Sequence, residues 1–400
     1  MQIVTVSTLY PNGEFPSHGI FVETRLRHLC ADTGCDGRVI APTPYFPSRS
    51  ARFGRFGQWG RVAPRETRFA IDVLHPRYLV VPGVSHALTP ALLYRAMRRG
   101  LEQLHADGFY PDLIDAHYLY PDGVAAARLA AHFNLPLVMT ARGSDVTAWP
   151  QEPGPARQIR AAIKRADHVI AVSAALAEGL GTLGAAPGQV TVLRNGVDLA
   201  RFMPIDPEAA RGAVGQARRY VLSVGHLIPR KGHDRVIRAL GVLRDAGVND
   251  VDLLIIGSGP EEARLRGLAA SLGLAAQVRF IGSIRQEELA RFYAGADMLV
   301  LASSREGWAN VLLESMACGT PVVASPAPGN AEVVREVAAG LVAAENTPEA
   351  LAQAMRQLWA ARPDRAATLA FAARHDWRSI SLGQSAIFEA VLARHQAARR

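Results

Sequence analysis

Short apolar runs alternate with stretches of helical periodicity along the whole chain, and that alternation predicts parallel β-sheets covered by helices on both faces. In the first half the apolar runs are Gln2–Ser7, Arg38–Ala41, Leu113–Ala116, Pro136–Thr140, His168–Val172 and Val190–Leu193. Helical patterns lie between them, over Phe21–Ala31, Ala87–Leu104 and Val124–Phe133. The second half restarts the rhythm with Tyr220–Val224, Asp252–Ile256, Val278–Ile281, Met298–Leu301 and Pro321–Ala324. Near Asn195–Pro207 an Asn-Gly pair and two prolines interrupt the pattern, which marks a domain boundary. The expected organisation is a Rossmann-like domain over residues 1–197, a second over 205–378, and a C-terminal helix over 379–400 that packs back on the first domain. Ligands bind outside the carboxyl ends of such strands, so the expected site is a cleft between the two lobes. Ser48–Phe69 departs from the rhythm. It is rich in Arg, Phe and Gly without periodicity and reads as a long excursion from the first lobe.

Four hundred residues suit two domains of roughly 100–200 residues each. No apolar run is long enough to span a membrane. The start, Met1-Gln2-Ile3-Val4-Thr5-Val6-Ser7, lacks a basic region and reads as a strand rather than a signal peptide. A cytoplasmic location is therefore expected. Cys30, Cys35 and Cys318 show no metal-ligand spacing and read as ordinary reduced thiols. A net charge of +8 raises a nucleic-acid partner. The excess is divided equally between the two halves, however, and no RNA-binding aromatic motif or zinc-finger spacing accompanies it. No nucleic-acid partner is expected; an anionic substrate or an acidic membrane surface explains mild basicity equally well. One bias is more informative. Only Lys164 and Lys231 are lysine among 44 basic residues, so each lysine calls for a reason.

The most specific stretch runs from Ser304 to Pro321, Ser-Arg-Glu-Gly-Trp-Ala-Asn-Val-Leu-Leu-Glu-Ser-Met-Ala-Cys-Gly-Thr-Pro. Asn310 is expected to cap a short helix, Gly319 to stop it and Pro321 to prevent its continuation. Its N-terminus follows the run Met298–Leu301, so its free N–H groups form an anion site. Glu306 stands before the helix and Glu314 one turn inside it. A carboxylate beside a phosphate site makes sense as an acceptor of hydrogen bonds from sugar or ribose hydroxyls.

This stretch resembles the Glu-x7-Glu signature of glycosyltransferase family 4, and the resemblance extends over nearly the whole chain. Val224-Gly225-His226-Leu227-Ile228-Pro229-Arg230-Lys231-Gly232 looks like the family's donor-phosphate loop. Asn195-Gly196-Val197-Asp198, with Phe202 and Pro204, looks like its crossover between lobes. Ala141-Arg142-Gly143-Ser144-Asp145 resembles a motif of the capsule and exopolysaccharide branch. The resemblance implies a GT-B fold, two doubly wound Rossmann-like domains facing across a cleft. It implies transfer of a hexose-type sugar, with retained anomeric configuration, from a nucleotide-diphosphate sugar to a glycan or lipid-linked acceptor in bacterial polysaccharide biosynthesis.

By the same resemblance Arg230 and Lys231 would clamp the donor diphosphate as negative charge develops there, Lys231 as a compact point charge. Glu306 would touch the transferred sugar and Glu314 the ribose diol. Asn310 and the N–H groups of Val311 and Leu312 would complete the phosphate cradle. Gly225 belongs to the donor loop, and backbone near Gly282–Ile284, Ile284 included, would read the base. Gly19, in the loop Asn12–Gly19, would allow close approach of backbone to phosphate. His18-Gly19 stands where the family often has two glycines, and Arg142 where many members have a histidine, so no histidine role is carried to position 142. His117, Arg142 and Asp145 are the acceptor-side candidates. For Asp145 the alternative is a turn cap, and for His117 a structural role.

Asp250-Val251-Asp252 matches the Asp-x-Asp of metal-dependent transferases, but it precedes its strand on the far face. No metal and no cofactor are expected. Gly257-Ser258-Gly259 lacks the third glycine of a dinucleotide fingerprint. Two other readings of the chain are a non-catalytic sugar-nucleotide-binding protein and a GT-B-like epimerase; the latter would need acid or base groups at the sugar ring that do not stand out. Finally, Arg49–Arg68 holds six arginines, one acid (Glu66) and the aromatics Phe53, Phe56 and Trp59. It reads either as a solvated loop on its own lobe or as a peripheral contact with an anionic membrane.

Overall fold

The computed structural model describes residues 1–80 and 88–398. The chain divides into two α/β units: Met1–Asn195 with Trp377–Arg400, and Gly196–Asp376. The first unit holds an eight-stranded sheet in the order Val190–Val192, His168–Ala171, Leu137–Ala141, Leu113–His117, Gln2–Val6, Asp36–Ile40, Ile71–Leu74 and Arg65–Arg68. All pairs are parallel except the last, where Arg65–Arg68 runs antiparallel at the edge. Leu113–His117 and Leu137–Ala141 are buried at every position, as strands covered on both faces must be.

Helix Ile20–Thr33 and the C-terminal helix Trp377–Ala397 pack against one another. Phe388 and Val391 of the latter lie in one core with Ile3, Val22, Leu26 and Leu29. A polar anchor accompanies this apolar contact. The buried Arg25 guanidinium donates to the Gln384 side chain at 2.6 Å, to Asn195 Oδ1 at 3.2 Å, and to the Leu193 and Arg194 carbonyls at 3.4 Å. One side chain thus ties the C-terminal helix to the end of the first unit's chain.

The second unit holds a six-stranded, wholly parallel sheet in the order Val278–Gly282, Val251–Ile256, Arg219–Val224, Met298–Leu301, Val322–Ala324 and Gly340–Val342. Strand order reverses between Arg219–Val224 and Met298–Leu301, the point at which doubly wound sheets open a crevice for ligands.

Several expectations need correction. Ser48–Phe69 is not a structureless excursion: it contains the helix Gly54–Arg61 and the edge strand Arg65–Arg68. Three glycines within that helix hide its periodicity from a pattern reading. Arg77 secures its end by donating to the Trp59 carbonyl at 2.6 Å and to that of Val62. The strand containing Asp252 begins at Val251, so the second carboxylate of the Asp-x-Asp lies inside the strand. The helix expected from Ala87 runs Thr89–Ala106, and Ala87 itself lies outside the described residues. The helix expected over 379–400 spans Trp377–Ala397, and residues 399–400 lie outside the described range.

Removing the Arg25 side chain should leave the Gln384 side chain and the Leu193 and Arg194 carbonyls without this donor, and take one positive charge from the surroundings of Asp115. Arg25→Ala is expected to lose about 1.5–3 kcal/mol in chemical unfolding. A loss under about 1 kcal/mol would show the anchor to be dispensable.

Candidate functional site

In the second unit the loops after Arg219–Val224 and Met298–Leu301 leave neighbouring strands at the same edge. Gly232 has φ +70°, and a Cβ there would stand 2.1 Å from the Ala302 carbonyl, so only glycine lets the two loops approach. Ser304 N–H donates to the Arg230 carbonyl at 2.9 Å, and Arg230 Nη1 donates to the Arg305 carbonyl at 3.0 Å. This lacing delivers three of the expected residues to one place. Lys231 Nζ lies 2.6 Å from Glu306 Oε1, and Arg230 Nη1 3.5 Å from Glu306 Oε2. Lys231 is not a solvated loop cation. It is 16% exposed and Glu306 8%, because the lysine stem runs back over Gly225. Two cations against one carboxylate leave a local excess of one positive charge.

The helix that follows is Asn310–Ala317. Asn310 is its first helical residue rather than its cap; Ala309 holds the cap position without a side-chain bond. The Leu312 N–H is already taken by the Ala309 carbonyl at 3.1 Å, so Leu312 drops out of the expected cradle and Val311 remains. At the other end Gly319, φ +76°, closes the helix: its N–H bonds the Met316 carbonyl at 2.9 Å and the Thr320 N–H that of Ser315 at 3.0 Å. Glu314 is half-buried and accepts from the Tyr293 hydroxyl at 3.0 Å. Burial raises its pKa to about 7, against the pull of hydrogen bonds from Tyr293 and Gln286 and the Arg201 charge. Ile284 lies half-buried in a loop tied to its neighbour by Ser283 Oγ–Ser258 Oγ at 2.9 Å and Gly257 N–H to Gly282 carbonyl at 2.9 Å.

The Asp-x-Asp carboxylates are engaged elsewhere. Asp250 pairs with Arg219 at 2.9 Å, while Asp252 accepts from Gln216 at 2.6 Å and lies 3.4 Å from Arg218. Among the described residues no group of three His, Cys, Asp or Glu side chains is arranged to hold a metal.

The first unit assembles a different cluster. Arg142 Nη2 lies 2.6 Å from His117 Nδ1 and Arg142 Nη1 2.9 Å from Asn195 Oδ1; His117 Nε2 lies 2.9 Å from Asp115 Oδ2. A guanidinium can only donate, so His117 Nδ1 accepts and its proton sits on Nε2, aimed at Asp115. His117 is fully buried, which fits the structural role given as its alternative. Burial, and the neighbouring Arg142 and Arg25 charges, push its pKa down to about 4 despite Asp115. It is neutral at pH 7. Burial alone would raise Asp115, but His117, Arg25 and Arg142 hold it below the usual carboxylate range. Burial and the Arg25 charge lower Arg142 to about 9.

Asp145 is a cap. Its buried carboxylate accepts from the N–H groups of Arg142 (3.1 Å), Gly143 (2.6 Å) and Leu119 (2.9 Å), which leaves it little capacity to position an acceptor. Gly19 begins the helix Ile20–Thr33 at φ +68°, and a Cβ there would meet the Leu9 backbone at 2.3 Å. The close approach that demands glycine is therefore internal. Sequence reasoning passed over Asp122, which is buried, accepts from Thr8 N–H and hydroxyl, and is pushed up to about 7 by burial.

The basic segment also changes on inspection. Arg61 pairs with Glu14, Arg65 with Asp72 and Asp107, and Arg68 with Glu23. Trp59 packs on Phe15, ring centroids 4.3 Å apart and planes tilted by 36°. Arg49, Arg52 and Arg55 remain exposed without acidic partners among the described residues, beside Phe53 and a 59%-exposed Phe56.

Comparison with known proteins places the chain among glycosyltransferases. Residues 22–201 match the family model "Glycosyltransferase Family 4" and residues 206–375 the model "Glycosyl transferases group 1". A D-inositol 3-phosphate glycosyltransferase from Mycolicibacterium gilvum is 33% identical over 68% of this chain, a match spanning 65% of that relative, just under two thirds. D-inositol 3-phosphate glycosyltransferase 2 of Catenulispora acidiphila is 32% identical over 72% of both chains. TuaC of Bacillus subtilis, assigned to teichuronic acid biosynthesis, is 29% identical over 82% of both. Among solved structures, sucrose-phosphate synthase from Thermosynechococcus elongatus superposes with a TM-score of 0.80 at 22% identity, covering 98% of this chain and 99% of that one. Anabaena HepE in complex with UDP-glucose does so at 0.72 and 20% identity, covering 98% and 100%. At such identities the structural likeness speaks for the GT-B fold alone.

The depressed His117 pKa carries a stability consequence. The unfolded chain takes up a proton near the ordinary value of 6.5 while the folded chain resists until about 4. This contribution is full above pH 6.5 and is lost as pH falls through that window. Between pH 7 and pH 5 the folded state should lose on the order of 1–2 kcal/mol through this residue. Unfolding curves of the wild type and His117→Asn at both pH values read the effect as a difference; equal pH dependence would refute it.

Proposed function

This chain belongs to glycosyltransferase family 4, and from that premise we propose that it is a retaining hexosyltransferase using a nucleotide-diphosphate sugar. The observation that carries the reading is the convergence of Arg230, Lys231 and Glu306 at the reversal point of the second sheet. A donor diphosphate entering there meets one uncompensated positive charge. Arg230 and Lys231 turn from Glu306 to the phosphate oxygens and stabilise the charge that grows as the sugar–oxygen bond breaks. The Val311 N–H at the helix start adds a fixed dipole. Glu306, released from its cations, accepts hydrogen bonds from the sugar, and Glu314 takes the ribose diol. The acceptor is a glycan or lipid-linked saccharide of bacterial polysaccharide assembly, a reading supported by the teichuronic acid relative. The UDP-glucose complex of HepE makes UDP-sugars the first donors to test. No step in this scheme calls for a metal ion.

Labelled UDP-, GDP- and ADP-sugars, each with and without EDTA, test the scheme directly. Nucleotide release with sugar transfer, insensitive to chelator, is expected. Binding alone would support a carrier, and an isomerised sugar an epimerase. Lys231→Ala should lower turnover about 10²–10³-fold and also cost stability, because it leaves Glu306 buried beside only the more distant Arg230. In calorimetry Glu314→Ala should weaken free nucleotide and intact donor alike, whereas Glu306→Ala should spare the free nucleotide. Wild-type turnover in folded Lys231→Ala would overturn the scheme.

No helix among the described residues is long and apolar enough to cross a membrane. Peripheral contact remains part of the proposal, narrowed to Arg49, Arg52, Arg55, Phe53 and Phe56. Three arginines near an anionic surface contribute on the order of 1 kcal/mol each, and exposed aromatic rings settle at headgroup level. The protein should sediment with anionic vesicles but not neutral ones, and high salt should release it. Changing Arg49, Arg52 and Phe56 to Ser should weaken this while leaving intact the Trp59–Phe15 contact, over which Arg55 lies. Salt-insensitive sedimentation, or none, would make this an ordinary solvated helix.

A further inference from the structure

Cys30 lies in the last turn of the helix Ile20–Thr33, and Cys35 stands just before the strand Asp36–Ile40. Between them the chain reverses at Gly34, whose φ of +69° is left-handed and whose N–H donates to the Cys30 carbonyl at 2.9 Å. The reversal brings the two sulfur atoms to 3.5 Å. Gly37 keeps the space open, since a Cβ there would stand 2.8 Å from Cys30 Sγ. Cys30 is half-buried and Cys35 8% exposed, so the pair sits at the margin of the first unit. Cys318 is fully buried in the second unit.

We propose that Cys30 and Cys35 form a reversible dithiol–disulfide site, oxidised by hydrogen peroxide and reset by small-molecule thiols. Thiol–disulfide chemistry needs contact between sulfurs and access for the oxidant; the sulfurs touch, and a small oxidant reaches the mostly buried Cys35 through its remaining 8% exposure beside the half-buried Cys30. Moving from 3.5 Å to a bond of about 2.05 Å takes a side-chain adjustment. The Cys35 thiolate attacks one peroxide oxygen; the O–O bond breaks, Cys35 becomes a sulfenic acid, and hydroxide departs to be protonated as water. Cys30 then attacks that sulfur, the S–S bond forms, the S–O bond breaks, and the second oxygen leaves as water with the Cys30 proton. Two thiols and one peroxide give one disulfide and two waters, with two electrons passing from sulfur to oxygen. Electrostatics favour this division of labour. The hydrogen bond shared with Cys30 draws the Cys35 thiol down to about 7, with help from Thr33 and the positive N-terminus, and the same bond and burial push Cys30 up. The ring would fasten the end of the helix that carries Arg25 to the strand beside it. This inference is independent of the transferase reading.

The test treats the full chain with hydrogen peroxide, quenches it in denaturant, alkylates free thiols and measures intact and peptide masses. Alkylated cysteines should fall from three to one, Cys318. The peptide containing Cys30 and Cys35 should be lighter by two hydrogens, and dithiothreitol should restore all three sites. Pre-unfolding in urea should slow the reaction several-fold, because the turn and the lowered Cys35 pKa are then lost. Cys30→Ser should instead accumulate sulfenic and sulfinic acid on Cys35. Retention of three alkylated cysteines, pairing with Cys318 or between chains, or equal rates in folded and urea-treated protein would each overturn the proposal. The wild-type masses decide the matter even if the serine variant folds poorly.

Discussion

Parallel strand pairing is the constraint on which both clusters depend. Every strand of the second sheet, and all but Arg65–Arg68 of the first, run in one direction, so the loops that follow them collect along one edge. Residues 75 positions apart, Lys231 and Glu306, meet because their loops leave adjacent strands. Once the loops are neighbours, Gly232 lets the backbones touch at Ala302, and the Ser304–Arg230 bond fixes their register. In the first unit the same rule sets the loops after Leu113–His117 and Leu137–Ala141 side by side, where Arg142 can reach His117.

The two clusters differ in how their charge is held. In the first unit the Arg25 and Arg142 charges both act on Asp115; desolvation lowers the two arginines, while Asp115 stays below the usual carboxylate range. His117 is neutral between them, and its accepting nitrogen is dictated by Arg142. Such a network orients groups and resists titration. In the second unit Arg230 remains partly open to solvent and Glu306 is divided between two cations. An arrangement of that kind can exchange one anionic partner for another.

Sequence patterning located the central strands and long helices because buried parallel strands are continuous apolar runs. It failed where periodicity was short or masked: the three-residue strand Gly340–Val342, the edge strand Arg65–Arg68, and the glycine-broken helix Gly54–Arg61. Among candidate residues, the scarcity of lysine singled out Lys231, and the Glu-x7-Glu spacing singled out Glu306 and Glu314. Hydrogen-bond partners were not legible. Nothing local in the sequence shows that Asp145 is saturated by three N–H groups, or that the Leu312 N–H is taken. Arg25 was invisible for the same reason, its partners lying 168 to 359 residues away. The arginines at 61, 65 and 68 looked like free surface charge because Glu14, Asp72, Asp107 and Glu23 approach only after folding.

Glu306 gives the second cluster its chemical sense. Two cations side by side without it would repel, and each would be driven to point into solvent, away from the sheet edge. With Glu306 mostly buried between them, both are drawn to the sheet edge and held there. Much of the entropy of ordering a lysine and an arginine is thereby lost on folding rather than on binding. In the proposed scheme an incoming diphosphate would carry more charge than the carboxylate it displaces, so exchange would favour the ligand as the two cations turn to it. That is electrostatic preorganisation in its usual sense, with the field present before the charge that it stabilises. In that scheme the carboxylate set free would lie beside the bound diphosphate, within reach of the sugar it would contact.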